Sequence, residues 1–313
     1  MKTIYLSYPL SPQLETTPVA MAIGYFDGVH LGHRRVIQKA IDAAAVHGWQ
    51  SAVMTFDPHP REVLGQTGYT KYLTPLEDKL EQFAKMGVDI AYVMTFDIPF
   101  SSIYPEDFVN ECLVPLQAGH VVVGFDFTFG YRGTGTAHTL HQLSQERFTL
   151  DIISPVNRYG EKVSSTIIRE YLHHGEVEQA RHLLGRPYRI KGTVVHGDAR
   201  GRTIGFPTAN IALEQPYLVG KNGVYGVRVK VDGETYYGVM NIGIKPTFAL
   251  EKKEKSLEVH LFDFQQDIYG KDLTVEFLFF LREEQKFAGV DALIAQIHKD
   301  VATAKEKLAS GVY

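Results

Sequence analysis

The sequence predicts an α/β protein of two domains: a doubly wound, parallel-sheet domain, then an antiparallel β domain closed by one terminal helix. Three observations point there. Through the first half, short apolar runs alternate with segments of helical period, the pattern of parallel strands joined by crossover helices. After Gly185, strand-like segments follow one another with no helix between them, the pattern of a small barrel or sandwich. At 313 residues the chain is long enough for two domains of roughly 100–200 residues each.

The first domain is expected to cover residues 1–185. Val19–Gly24 reads as a buried strand. From Leu31 to about His47, Val36, Ile37, Ala40, Ile41, Ala44 and Ala45 recur at helical spacing, and Gly48 is a natural stop. Ala52–Phe56 is the next strand. Thr74-Pro-Leu-Glu77 then offers an N-cap, a proline at the first helical position and a capping-box glutamate, ahead of a helix ending near Gly87. Strands at Ile90–Phe96 and His120–Gly124 bracket another helix starting near Pro105, and Leu150–Ile153 is a further strand. In the second domain, residues 186–313, Gly223–Val231 and Glu234–Ile242 flank Asp232-Gly233, a strong hairpin signal. Glu258–Phe264 and Leu273–Leu281 continue the strands, and about Val290–Leu308 is an amphipathic helix. The boundary falls near Gly185–Tyr188.

Composition narrows the function classes. Hydrophobic residues make up 44% and charged residues 22%, ordinary for a globular chain. A net charge of −4 supplies no general attraction to nucleic acid or an anionic membrane, so an anionic ligand must be captured locally. Met1 to Gln13 alternates apolar and polar residues, with Pro9 and Pro12, and lacks the unbroken apolar run of a signal peptide or membrane span. Cys112 is the single cysteine, which suits a reducing compartment. The expectation is a cytoplasmic protein with neither a membrane nor a nucleic-acid partner.

Two phosphate-handling patterns lie in opposite halves. The first, Gly24-Tyr-Phe-Asp-Gly-Val-His-Leu-Gly-His33, sits where a strand gives way to a helix. His30 and His33 share one face of the first turn, where unpaired N–H groups and the positive dipole end favour an anion. Gly24, Gly28 and Gly32 allow the backbone close to a nucleotide, with Phe26 and Asp27 between them. A partner pattern, Ser164-Ser-Thr-Ile-Ile-Arg169, opens a helix at Ile167–His173. The hydroxyls of Ser164, Ser165 and Thr166, with Arg169 one turn in, form a second anion cradle; a plain serine cap with a solvated arginine has the same sequence. Together the two patterns resemble the paired signatures of the nucleotidylyltransferase superfamily. Neither a Walker A sequence nor G-x-G-x-x-G occurs, which counts against a P-loop kinase and a dinucleotide-binding dehydrogenase.

Thr55-Phe-Asp-Pro-His-Pro60 and Gly124-Phe-Asp-Phe-Thr-Phe-Gly130 leave the carboxyl ends of strands, where open α/β sheets bind ligands. Phe56, Phe125, Phe127 and Phe129 offer flat faces for an aromatic ring, although at least two read equally as core. Asp126 adds a carboxylate, and Pro58 and His59 follow Phe56. The second phosphate pattern runs from Gly197 to Asn210. Gly197, Gly201 and Gly205 would let backbone amides wrap a polyphosphate, with Arg202 and Pro207 in the same run. Thr208 and Asn210 present oxygens from one face of an extended segment, a donor set that suits Mg²⁺.

Almost end to end, the chain resembles the bacterial bifunctional riboflavin kinase/FMN adenylyltransferase family. Besides the stretches above, the resemblance is carried by Leu257–Phe264, Ile268–Lys271 and Phe280–Phe287. It implies a Rossmann-like nucleotidylyltransferase domain that adenylylates FMN to FAD with release of pyrophosphate. It also implies a C-terminal antiparallel β-barrel that phosphorylates riboflavin with Mg-ATP, leaving ADP. In the first domain the implied catalytic residues are His30, His33 and Arg169. ATP would meet Gly24, Phe26, Asp27, Gly32, Ser164, Ser165 and Thr166, and flavin would meet Phe56, Pro58, His59, Asp126 and Phe127. In the barrel, Thr208 and Asn210 match the metal-nucleotide ligands, Gly197, Gly201, Arg202, Gly205 and Pro207 surround ATP, and Arg282 lies near the flavin. Glu258 matches the family's catalytic base. On the residue pattern alone, Glu258 reads equally as a solvated strand carboxylate.

Two rival readings make different demands. An adenylyltransferase whose barrel only binds flavin is expected to have lost the barrel's catalytic residues, yet Thr208, Asn210 and Glu258 all stand. An RNA-binding protein needs a basic, aromatic-studded surface, and this net acidic chain has no Lys/Arg block.

Overall fold

The computed structural model describes residues 1–66, 70–197, 201, 204–245 and 254–311. Contacts divide the chain into two compact units, Met1–Ser165 and Thr166–Tyr313.

The first unit runs β1 (Lys2–Leu6), β2 (Val19–Ile23), α1 (Leu31–His47), β3 (Gln50–Asp57), α2 (Pro60–Val63), α3 (Leu76–Lys85) and β4 (Ile90–Thr95). It continues through α4 (Ile98–Ser101), α5 (Pro105–Asp107), a π-helical turn at Phe108–Leu113 and β5 (Ala118–Gly124). A short pair, β6 (Thr128–Phe129) and β7 (Gly135–Thr136), precedes α6 (Ala137–Ser144), β8 (Thr149–Ile153) and a second short pair, β9 (Asn157–Arg158) and β10 (Glu161–Lys162).

Six strands form one sheet in the order β1-β4-β3-β2-β5-β8, every neighbour parallel. Helices cover such a sheet on both faces, so its central strands are continuously apolar. Val19, Ala20, Met21, Ala22 and Ile23 of β2 are all buried. Against them α1 lays Val36, Ile37, Ala40 and Ala44, then stops at Gly48, whose φ of +67° is the left-handed cap a glycine adopts freely. From β2 the chain moves outward to β3 and β4, then returns to β5 on the other side of β2. The sheet order therefore reverses between β2 and β5, and the loops leaving those two strands flank the crevice where such sheets take ligands. The doubly wound architecture is the one the alternating pattern predicts.

Three local features differ from expectation. Lys2–Leu6 forms an edge strand on β4, in register from Lys2 opposite Ile90 to Leu6 opposite Met94. The capping box at Thr74 does not form: α3 starts at Leu76 without a side-chain cap, because the Thr74 amide donates instead to Asp27 Oδ1 at 3.0 Å. The helix near Pro105 runs into a π-helical turn, with Cys112 buried inside it.

α7 (Ser165–His174) starts at the last residue of the first unit, and with α8 (Val177–Leu184) it precedes the barrel of the second, α8 closing at Gly185 with φ +71°. The barrel strands are β11 (Tyr188–Val195), β12 (Ala209–Ala212), β13 (Gly223–Val231), β14 (Glu234–Lys245), β15 (Glu254–Leu261) and β16 (Asp272–Arg282), and α9 (Val290–Ser310) follows. They close in the order β11-β12-β15-β14-β13-β16, antiparallel throughout. A barrel, not a sandwich, is the outcome. The β13–β14 hairpin turns at Asp232 and Gly233, both at positive φ (+51° and +83°), as a turn matching strand twist requires. Alternate residues of β11 are buried, so one side of the strand faces the core and the other faces out. Arg282 at the end of β16 fastens α9 to the barrel. Its Nε and Nη2 both reach the buried Asp300 carboxylate, at 2.8–3.0 Å.

Candidate active sites

The loop between β2 and α1 is held in a conformation few sequences accept. Phe26, Gly28 and Val29 have φ of +58°, +88° and +41°, two of them non-glycine residues in the left-handed region. Strain of this kind persists only where surrounding contacts over-determine it, and it clusters at functional sites. Those contacts are visible. Asp27 is 4% exposed; its carboxylate accepts from the Thr74 amide and its carbonyl accepts from Ser165 Oγ at 2.8 Å. Phe26 packs edge-on against Phe83 and against the His33 ring. A Cβ on Gly24 would lie 2.9 Å from the Phe26 ring, so this glycine makes the loop's closure sterically feasible.

His30 is the N-cap of α1, and its Nδ1 accepts the His33 backbone N–H at 3.2 Å. In the neutral ring that bond leaves the proton on Nε2. The two imidazoles stack with centroids 3.5 Å apart, and no acidic residue occupies the first turn. Two imidazoles and a helix dipole therefore converge on one point, a device for holding phosphate oxygens. Ser164 and Ser165 lie in this unit, Ser165 bonded to the Asp27 carbonyl. Thr166 and Arg169 belong to the second unit, Arg169 one turn into α7.

At the end of β3, His59 caps α2 by accepting the Arg61 N–H at 3.0 Å and stacks on Tyr25, centroids 3.9 Å apart. Pro58 is exposed. The phenylalanines split. Phe56 and Phe129 are core residues, each 8% exposed, whereas Phe127 is half-buried and stacks on Phe129. Phe125 is exposed, its ring 4.4 Å from Lys162 Nζ, which also pairs with Asp126 at 3.5 Å.

In the barrel, β15 lies between β12 and β14, with Glu258 opposite Asn210 on one side and opposite Asn241 on the other. Residues directly opposed across antiparallel strands share a face. Leu257 and Val259 are buried while Glu258 is half-exposed, so this polar row lines the outside of the barrel. Ser256 Oγ donates to Glu258 Oε1 at 3.0 Å, giving the carboxylate a fixed orientation. Around it the glycines clear space. A Cβ on Gly197 would lie 2.1 Å from the Asn210 side-chain nitrogen, and one on Gly201 would lie 3.3 Å from Thr208 Oγ1. Gly205 takes φ +84° ahead of exposed Pro207. Arg202 lies outside the described residues. Beside Thr208 opens a cavity of about 410 Å³, lined among others by Val194, Pro207, Phe264, Asp267, Ile268 and Tyr269. His196 stacks on Tyr269 with centroids 3.9 Å apart.

Comparison with known proteins assigns both halves. The family model for FAD synthetase matches residues 13–167, and the one for riboflavin kinase matches residues 184–308. A Listeria monocytogenes protein named bifunctional riboflavin kinase/FMN adenylyltransferase is 48% identical over 303 residues, 96% of each chain. The Bacillus subtilis protein of the same name is 46% identical over the same share. The chain belongs to the bifunctional riboflavin kinase/FMN adenylyltransferase family. It is an enzyme carrying an FAD synthetase module and a riboflavin kinase module. A crystal structure from Streptococcus pneumoniae, named as a macrolide-efflux protein, matches at TM-score 0.87 and 33% identity, covering 95% of this chain and 97% of that one. Among the described residues, no helix is long and apolar enough to cross a membrane.

In the FAD synthetase module the structure brings together Gly24, Phe26, Asp27, His30, Gly32 and His33, and joins Ser165 to them. In the kinase module it brings together Gly197, Gly201, Thr208, Asn210 and Glu258. Arg282 is committed to Asp300. Two residues that the structure places beside these groups escape a sequence reading. Asn241 has a weak signal, an amide within the apolar run Val239-Met-Asn-Ile242 of β14. Lys79 has none: it sits on an ordinary amphipathic helix, yet is buried and bonded to the Tyr25 carbonyl at 3.0 Å.

Proposed function

We propose that residues 1–185 adenylylate FMN to FAD and that residues 186–313 phosphorylate riboflavin to FMN, with the residues named above in those roles. In the first reaction a phosphate oxygen of FMN attacks the α-phosphorus of ATP. The α–β bridging bond breaks and pyrophosphate leaves. His30, His33 and the first amides of α1 hold the phosphate oxygens as charge develops. The observation that carries this reading is the stacked imidazole pair on a helical first turn that carries no acidic residue. No side chain is required as a nucleophile, since the FMN phosphate already is one. Phe127, Pro58, His59 and Asp126, at the carboxyl edge of the same sheet, would border the flavin.

In the kinase reaction Glu258 takes the proton of the ribityl 5′-hydroxyl as that oxygen attacks the γ-phosphorus, and ADP departs. Its place between Asn210 and Asn241 supports this role, because the base then adjoins the metal-nucleotide ligands. Thr208 and Asn210 offer neutral oxygens in a glycine-cleared space, and that donor set fits Mg²⁺, which keeps water and substrate phosphates as its other ligands. Bound there, Mg²⁺ would neutralise charge on the β- and γ-phosphates. The adjoining cavity is sized and lined for the adenosine of ATP, with apolar walls and the half-buried Tyr269. A cytoplasmic setting fits substrates such as ATP and a chain with one buried thiol.

One experiment tests the scheme. The enzyme is incubated with riboflavin and Mg-ATP, and FMN and FAD are separated chromatographically over time. FMN should rise first and FAD follow, and a chelator should halt FMN formation. FMN without FAD, or FAD only from added FMN, would remove one of the two activities.

A further inference from the structure

Lys79 is a buried cation that the reaction scheme does not use. It lies on α3 with 1% of its surface exposed. Its ammonium donates to the Tyr25 carbonyl at 3.0 Å and to Thr55 Oγ1 at 3.3 Å, and it lies 3.8 Å from the Tyr25 ring centroid. Thr55 Oγ1 donates to that same carbonyl at 3.0 Å. Tyr25 belongs to the loop after β2, and Thr55 to the end of β3. One side chain thus fastens the Gly24–His33 loop to the Thr55–Pro60 stretch.

Packing does not call for a charge here. A methionine or leucine would fill the space without the desolvation cost of a buried ammonium. That cost is offset by the two hydrogen bonds, by the face of the Tyr25 ring and by the negative charges of Asp27 and Asp57. Both carboxylates belong to the site's own motifs, and both substrates of that site are polyanions. Without a nearby cation, Asp27 and Asp57 would repel phosphates held by those motifs.

We propose that Lys79 is a positioning residue for adenylyl transfer, holding the Tyr25–Asp27 loop in its nucleotide-binding shape and offsetting the Asp27 and Asp57 carboxylates. This rests on the reading of the Gly24–His33 loop as the ATP site.

The arrangement has a pH signature. Burial lowers the Lys79 pKa to about 8, opposed by Asp27 and Asp57. The groups that face it are Asp27 from the loop after β2 and Asp57 from the end of β3. Glu62 of α2 acts on Asp57, whose own pKa burial raises and Lys79 lowers again. On α3 itself the neighbouring acid is buried Asp78. Lys79 is charged below about pH 8 and neutral above it. Adenylylation should therefore lose activity through that range, on a limb that riboflavin phosphorylation does not share.

The test uses full-length wild type, Lys79→Met and Lys79→Arg. FMN adenylylation is measured from neutral to alkaline pH, with ATP and FMN varied separately; circular dichroism and a thermal melt of the same preparations report folding of the unit that carries Lys79, and riboflavin phosphorylation serves as the control activity of the other unit. Lys79→Met should lose about 10²-fold in kcat/KM for ATP at neutral pH, the scale of a displaced site loop, and should lack the alkaline limb. Lys79→Arg should recover part of the activity and carry the limb to higher pH, since arginine stays charged. Wild-type kcat/KM in Lys79→Met overturns the proposal. So does a loss that leaves the limb in place and that arginine does not relieve, the mark of mere packing. Should Lys79→Met fail to fold, the limb in Lys79→Arg decides: unchanged, it overturns the proposal. His30→Ala/His33→Ala runs alongside. If that variant keeps adenylylation, the reading of the loop fails; if it loses adenylylation while Lys79→Met does not, only the role of Lys79 fails.

Discussion

The side-chain amide of Asn210 occupies the space a Cβ on Gly197 would need, with its nitrogen 2.1 Å from that position. Across the β12–β15 ladder Asn210 also stands opposite Glu258. A small residue and the two residues proposed above as metal-nucleotide ligand and general base are thus placed side by side. Gly197→Ala should push Asn210 away and weaken Mg-ATP binding by about 10–10²-fold, the usual cost of disturbing a ligand's support. Nucleotide titration of the kinase reaction checks this, with FMN adenylylation expected to remain unchanged.

Glu258→Gln keeps the size and hydrogen-bonding capacity of the side chain but removes the carboxylate proposed as the base. Riboflavin phosphorylation should fall by about 10²–10⁴-fold in kcat, while riboflavin and ATP bind near wild-type strength. Near-normal turnover would leave Glu258 as a strand carboxylate held by Ser256.

His30→Ala with His33→Ala should abolish FMN-to-FAD conversion and spare the kinase. Each lost donor to developing charge should cost about 10²–10³ in rate. Loss of both activities in a folded double variant would contradict two separate sites. In the same assay, wild-type enzyme given ATP without FMN should yield no adenylylated protein by mass spectrometry.

Asp300→Ala should destabilise the barrel unit by about 3 kcal/mol, the low end for breaking a buried ion pair, because Arg282 retains some solvent contact. Urea denaturation should show the loss. Arg282→Lys should be milder, keeping the charge but not the bidentate geometry.

Legibility in the sequence followed the range of the forces involved. Helix α1 and the β13–β14 hairpin were readable because their signals, a 3.6-residue period, a stop glycine and an Asp-Gly turn, are local. The edge strand Lys2–Leu6 was not, because its pairing with β4 lies far along the chain and its five residues carry no turn signal. The Thr74–Glu77 capping box is complete in sequence, yet the Thr74 amide that Glu77 would accept is claimed by Asp27, 47 residues earlier. The Gly24–His33 and Gly197–Asn210 stretches stand out because each is dense in glycine together with residue types that bind anions or metals, a signal carried within ten to fourteen residues. Lys79 does not, since nothing around it on α3 distinguishes a buried lysine from a solvated one. What buries it arrives from β2 and β3. Phe56 illustrates the converse: its motif pointed outward, but strand alternation placed it in the core with Phe96 and Phe100.

Cys112 is fully buried in its π-helical turn, and burial pushes its thiol pKa up to about 12. At neutral pH it therefore holds its proton and is a poor nucleophile. Thiol-directed dyes should pass it by in the folded enzyme. A cysteine introduced at an exposed position in each unit would then be the only reactive handle there, with no native residue to remove first. The distance between two such labels could be followed by fluorescence while FMN made in one module is consumed in the other.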